Sequence, residues 1–350
     1  MEGKALSCGM ISGDFYLTKQ NTLEKRFVLF FLVFFSSLIL PGFQIQNLDG
    51  YENIAASKRI RIVTSVFPLY EFAEAVSGER GEVNLLLPPG AEIHTWQPRP
   101  SDIIRLSSAD LFIYIGADLE PWVHDLLKSV KNPNLTVLEA SQGIPLIDEE
   151  GIVHYNPEHE TEGILSSGHN HEHEARDPHI WLDFRNDQMI VDKIETILSE
   201  MDPEGASIFK KNAIFYKGKL QGLDQKFKDG LKDCDHRTII IGGHAAFGYL
   251  ARSYNLRQLS VYGLSPDSKP TPKKLIEVME LAKKYGIKTI FFEVYVSDEL
   301  ARVLAGEVGA RTLVLNPGAN LTKGQLKSGK TFFDIMEENL ENLKNGLICK

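Results

Sequence analysis

Two sets of four short apolar runs, each set interleaved with stretches of helical periodicity, constrain this 350-residue chain more than any other feature. In the first half, Arg59–Val66, Val83–Leu87, Leu111–Ile115 and Leu135–Glu139 read as strands, with helices over Phe67–Val76, Pro100–Ala109 and Pro121–Val130. The runs are β-branched or aromatic, continuous rather than alternating, and bounded by Gly, Pro and Ser, as strands buried on both faces require. The scheme repeats with strands at Thr238–Ile241, Gln258–Tyr262, Thr289–Val294 and Thr312–Leu315, and helices at His244–Tyr254, Pro272–Tyr285, Asp298–Val308 and Phe332–Leu347. A strand followed by a helix and another strand is the signature of parallel pairing, so the expected fold is α/β with two (βα)-type lobes. A chain of this length is also long for a single core.

Between the two sets, Asn186 to Lys232 has a helical pattern, interrupted at Met201-Asp202-Pro203-Glu204-Gly205. From Ile208 onward, Ile214, Phe215, Leu220, Leu223, Phe227 and Leu231 keep helical spacing. The expectation is one long linker helix, with a first lobe over 58–183, a linker segment over 184–235 and a second lobe over 236–350. Ahead of these, Phe27–Leu40 is an unbroken run of apolar residues and two serines, preceded by Lys19, Lys25 and Arg26. A basic segment followed by a short apolar one is an export signal, cleaved before Lys58 or retained as an anchor. The chain is therefore expected to work in the periplasm or on the outer face of the cytoplasmic membrane. Of three cysteines, Cys8 precedes the exported part; Cys234 and Cys349 are left either to pair or to stay free thiols.

A net charge of -9 excludes nucleic acid as a partner and suits a protein that handles cations. Five of the ten histidines, His154, His159, His169, His171 and His173, fall between Gly151 and Arg176 among glycines, acids and serines, with no apolar period to bury them. Neutral imidazole is the commonest protein ligand for zinc, so this loop is expected to attract metal. Three more histidines occupy structured positions: His94 just beyond the second strand, His244 after Ile239-Ile240-Ile241-Gly242-Gly243, and His179 in Pro178-His179-Ile180-Trp181 at the junction of the lobes. Ligands of open α/β sheets bind outside the carboxyl ends of the strands, which lets all three converge on one cleft between the lobes. Taken singly, each also has a plain structural reading, as a turn cap, a helix cap or an interface residue.

Together with their neighbours these residues resemble a family, the metal-binding substrate-binding proteins of zinc and manganese ABC importers. Leu87-Pro88-Pro89-Gly90-Ala91-Glu92-Ile93-His94 with Gln97-Pro98-Arg99-Pro100-Ser101-Asp102 is similar to its first ligand segment. Asp177-Pro178-His179-Ile180-Trp181-Leu182-Asp183 is similar to the second, and Gly243-His244-Ala245-Ala246-Phe247-Gly248 to the third. The resemblance implies His94, His179 and His244 as ligands of one tight Zn2+ site, weaker additional binding in the histidine-rich loop, a membrane permease as partner, a monomer, and no enzymatic activity. Three imidazoles suit zinc better than manganese. Asn316, where many relatives carry a carboxylate, is a poor zinc ligand, which leaves the fourth position to a water, to Glu293 or to Asn316 itself. Glu293, after Ile290-Phe291-Phe292 and facing the same cleft, is expected first as a partner behind the ligands and second as a ligand. The alternatives are a manganese or iron carrier of the same family and a three-histidine zinc hydrolase.

Overall fold

The computed structural model describes residues 59–148, 176–266, 270–294 and 298–350. The expected leader, Cys8 and the five loop histidines lie outside them. The first lobe runs β1 (Ile60–Thr64), α1 (Phe67–Ser77), β2 (Gly81–Leu85), α2 (Pro100–Ser107), β3 (Leu111–Tyr114), α3 (Val123–Ser129) and β4 (Thr136–Glu139). Then come α4 (Phe184–Met201) and α5 (Ala206–Leu231), followed by β5 (Thr238–Ile241), α6 (Gly248–Ser253), β6 (Arg257–Ser260), α7 (Pro272–Lys284), β7 (Thr289–Phe292), α8 (Glu299–Val308), β8 (Arg311–Val314), α9 (Lys323–Lys327) and α10 (Phe332–Leu347).

Both sheets are parallel, in the orders β2-β1-β3-β4 and β6-β5-β7-β8, so the second repeats the topology of the first. The continuous apolar runs follow from burial on two faces. In β5, Ile239 and Ile241 join the core shared with the linker and first lobe, while Ile240 turns into a separate cluster with Leu259, Val278 and Leu304. That alternation is the period of two of a strand.

The linker segment folds as two helices. At Asp202 the chain turns through a short 3-10 stretch, Pro203–Gly205, where Arg80 grips Asp202 with Nη2 2.8 Å from Oδ1. α5 is the long linker helix, 26 residues or about 39 Å at 1.5 Å per residue. Its buried face touches both lobes: Tyr216 lies edge-on to Phe72 of α1 and to Phe333 of α10, and Phe227 packs on Phe184 and Tyr254. Cys234 and Cys349 are bonded, 115 residues apart in sequence, which resolves the alternative of two free thiols. Among the described residues, no helix is long and apolar enough to cross a membrane.

The helix expected from His244 begins only at Gly248. Ala245–Leu250 is apolar throughout, which suggests a helix, but its first backbone groups bond sideways. Ala245 N–H donates to Gly263 O (2.8 Å) and Phe247 N–H to Gln258 Oε1 (2.7 Å), which keeps the chain beside β6 until Gly248.

Candidate metal centre

His94 comes from the irregular loop after β2, His179 from the turn leading into a 3-10 stretch at Ile180–Leu182, and His244 from the loop after β5. The structure brings all three together. Their ring centroids are 5.1 to 5.3 Å apart, and His179 Nε2 stands 3.3 Å from His94 Nε2 and 3.2 Å from His244 Nε2. A tetrahedral ion with metal–nitrogen bonds of about 2.0–2.1 Å places its ligand atoms about 3.3–3.4 Å apart, and both spacings are close to that edge length. His179 and His244 are buried, and His94 is partly exposed at the mouth. The enclosed space is only about 20 Å³ and is also bordered by Glu92, Glu293, Pro317 and Asn320. Hollows of about 510 Å³ elsewhere contain none of the three histidines.

Two of the rings are backed by carboxylates. Asp177, fully buried, accepts from the His179 backbone N–H at 2.9 Å and faces Nδ1 at 2.8 Å with the same oxygen. A proton held on Nδ1 leaves the Nε2 lone pair aimed at the cavity. Glu293, at the end of β7, accepts from the His244 backbone N–H at 2.8 Å, and its other oxygen lies 2.7 Å from Nδ1 in a close charge contact out of line for a hydrogen bond. This approach needs Gly242 and Gly243: a Cβ on Gly243 would lie 2.1 Å from Glu293 Oε1, and one on Gly242 would lie 2.5 Å from Ala301 Cβ.

Burial and the neighbouring rings push the His94 imidazole down to about 2, and burial drives His179 well below its ordinary value. These rings are neutral donors of lone pairs near neutral pH. Burial is the largest single influence on His244 and lowers it, but the carboxylates of Glu293, Glu92 and Asp177 together outweigh it and leave that ring raised.

Of the residues considered for a fourth position, Glu293 borders the space with both oxygens turned to His244. Asn316 does not border it. Its Oδ1 accepts from Gly318 N–H at 2.9 Å, and its backbone is held on both sides by Asn339. Glu92 at the mouth and Asp177 behind His179 carry no distinguishing signal in the sequence beyond their places in the motifs. The base of the histidine-rich loop is also visible. Asp148 and Arg176 form an antiparallel bridge, Asp177 N–H donates to Ile147 O at 2.9 Å, and Tyr249 OH takes the Ile147 N–H while donating to Asp177 O.

Two parallel α/β lobes on a long helix, with a cluster of inward imidazoles where the strands end, define a two-lobed metal-binding protein. A family model described as zinc-uptake complex component A, periplasmic (ZnuA) matches residues 62–346, and the chain belongs to that family. It is 37% identical over 292 residues to the high-affinity zinc uptake system protein ZnuA of Bacillus subtilis, covering 83% of this chain and 89% of that one. To the zinc-binding protein AdcA of Streptococcus pyogenes serotype M3 it is 35% identical over 310 residues, 87% of this chain but only 59% of that longer relative. The Zn(II)-bound ZnuA-like domain of Streptococcus pneumoniae AdcA superposes with a TM-score of 0.67 at 33% identity, over 83% of this chain and 99% of the domain.

Proposed function

We propose that this protein captures zinc outside the cytoplasm, holds it with His94 Nε2, His179 Nε2 and His244 Nε2, and hands it to the membrane permease of an ABC importer. The observation that carries the reading is the pair of spacings close to a tetrahedral edge, 3.2 and 3.3 Å, around a space of about 20 Å³. Such a space takes one ion or one water. It does not take an organic substrate, which weighs against the hydrolase. Imidazole also favours zinc over manganese. No carboxylate among the described residues comes within 4.8 Å of all three nitrogens, so we assign the fourth place to a water. Asp177 and Glu293 act behind the ligands, orienting His179 and His244 and raising their basicity. In this reading residues 1–57 direct export, 58–183 and 236–350 form the lobes, 184–235 link them, and the protein works as a monomer. The loop at 151–176 supplies weaker, additional binding.

Single replacement of His94, His179 or His244 by alanine should weaken zinc binding in calorimetric titration by more than the roughly 10–100-fold typical of an outer-shell partner. His169→Ala should leave the tight site unchanged. Equal losses in both groups would overturn the ligand assignment.

A further inference from the structure

His94 differs from its two companions in how it is held. His179 and His244 each have a carboxylate behind the ring, whereas among the described residues no carboxylate makes a hydrogen bond or ion pair with the His94 imidazole. Its direction is therefore set by the backbone of its loop, and from Leu86 to Arg99 that backbone has no helix or strand of its own.

The loop is held from the other lobe. After β8 the chain does not turn back at once but runs beneath the cleft as a strap, Pro317–Leu321. Along it Trp181 Nε1 donates to Pro317 O (2.7 Å), Phe67 N–H to Ala319 O (2.9 Å), and Gly90 N–H to Leu321 O (2.8 Å). At the centre is Asn320, 1% exposed. Its Nδ2 donates to Pro88 O and to Ala91 O, both at 2.8 Å, and its Oδ1 accepts from Leu321 N–H at 2.8 Å. An amide nitrogen has two hydrogens, and here they join two carbonyls on either side of the bend that delivers His94. The partners lie 232 and 229 residues away in sequence, so this one side chain stitches the loop to the opposite lobe.

We propose that Asn320 is a positioning residue for the metal: by fixing the Pro88–Ala91 bend against the strap, it aims His94 at the ion and slows the ion's release. The inference rests on the three-histidine reading above. The strap then does for His94 what a carboxylate does for each of the others, but through backbone rather than through the ring. Because the brace comes from the second lobe while the ligand belongs to the first, a shift between the lobes moves His94 first. Release from this site begins with the partly exposed ligand.

The test uses Asn320→Ala, with Asn320→Ser as the milder variant should the alanine form fail to fold, and His94→Ala as reference. Zinc affinity is read by competition with a chromophoric chelator, release by stopped-flow transfer to excess chelator, site geometry by the visible absorption of the cobalt(II)-loaded protein, and stability by melting of the metal-free protein. The expected result is a 10–100-fold weaker affinity, the range for losing an outer-shell partner, appearing mainly as faster release and accompanied by altered cobalt bands. Affinity within twofold of wild type, with His94→Ala crippled, overturns the role of Asn320 and leaves the histidine site standing. Weaker binding with an unchanged cobalt spectrum, in proportion to a lower melting temperature, also overturns it, since Asn320 would then be structural only. Wild-type affinity in His94→Ala overturns the three-histidine reading itself, and this inference with it.

Discussion

Removing the carboxylate of Asp177 separates what orients His179, a zinc ligand in the proposed function, from what merely folds the loop. Asp177 Oδ1 accepts two hydrogen bonds at a fully buried position, from the backbone N–H of His179 and from its ring Nδ1. Asp177→Ala leaves both donors without this partner, at a cost of about 1–3 kcal/mol each in stability. The backbone bond is made equally in the empty and metal-bound states and cancels from the affinity. The ring contact does not cancel, because it strengthens as the metal draws charge out of the imidazole. Loss of such a partner weakens metal binding about 10–100-fold, or about 1.4–2.8 kcal/mol. Asp177→Asn keeps an acceptor for the backbone N–H but not the charge, so it should recover most of the stability and little of the affinity. Chelator competition on both variants, beside urea unfolding of the metal-free forms, separates the two quantities. If the alanine variant binds zinc within twofold of wild type, or if asparagine restores affinity as fully as stability, the carboxylate does not act on the metal through the ring.

Three further outcomes are expected. Replacing both Cys234 and Cys349 by serine opens a loop of 115 residues, worth about 4.8 kcal/mol by chain entropy and typically 2–4 when measured; urea unfolding should show a loss in that range with zinc affinity unchanged within twofold, and a loss under about 1 kcal/mol contradicts it. Asp187 is fully buried with neither oxygen hydrogen-bonded among the described residues, and burial, then the nearby Asp183 charge, raises its pKa well above 3.8. The folded chain keeps this proton at pH values where the unfolded chain has lost it, so Asp187 lowers stability as pH rises above about 4. Melts of Asp187→Asn should match wild type below that pH and rise above it towards pH 7; a gap that does not grow with pH refutes the buried neutral acid. Joining Asp148 to Arg176 by a two-residue turn should leave one tight zinc site of nearly unchanged affinity and remove weaker binding, because the stems already pair; loss of the tight site in calorimetric titration would mean that the loop supplies a ligand.

The strand-and-helix alternation was legible because burial on both faces leaves an unbroken apolar run, and β5 and α10 begin and end where the sequence places them. The reading fails where backbone groups find partners that local sequence does not announce. Leu86 and Leu87 are buried and look like strand, but the ladder to β1 stops at Leu85. Residues 244–247 are apolar enough for a helix yet bond to β6 and the loop after it. At the site, the three histidines stood out because each follows a strand or a junction. Of their supports, Glu293 is legible by its place after a strand that ends at the cleft, and it reaches His244 across 49 residues. Asn320, which reaches the His94 loop across more than 220, carries no such mark. Asparagine after a strand reads as a turn residue until the carbonyls it meets are known. Asn316 shows the converse: chosen for its place in the chain, it turns its amide oxygen back onto Gly318.

The link between Cys234 and Cys349 has a mechanical consequence. It joins Cys234, two residues ahead of the second lobe, to Cys349, the last described residue but one. Tension applied between the two ends of the described chain passes from Cys234 to Cys349 through the sulfur atoms and bypasses everything between them. An oxidised molecule stretched by its ends should therefore extend short of the reduced one by about 380–410 Å, the reach of 115 residues at 3.3–3.6 Å each. Of the three histidines only His244 lies inside that shielded ring. Pulling would draw His94 and His179 away from a lobe that itself bears no load, so the centre would come apart along the cleft while the second sheet stayed folded.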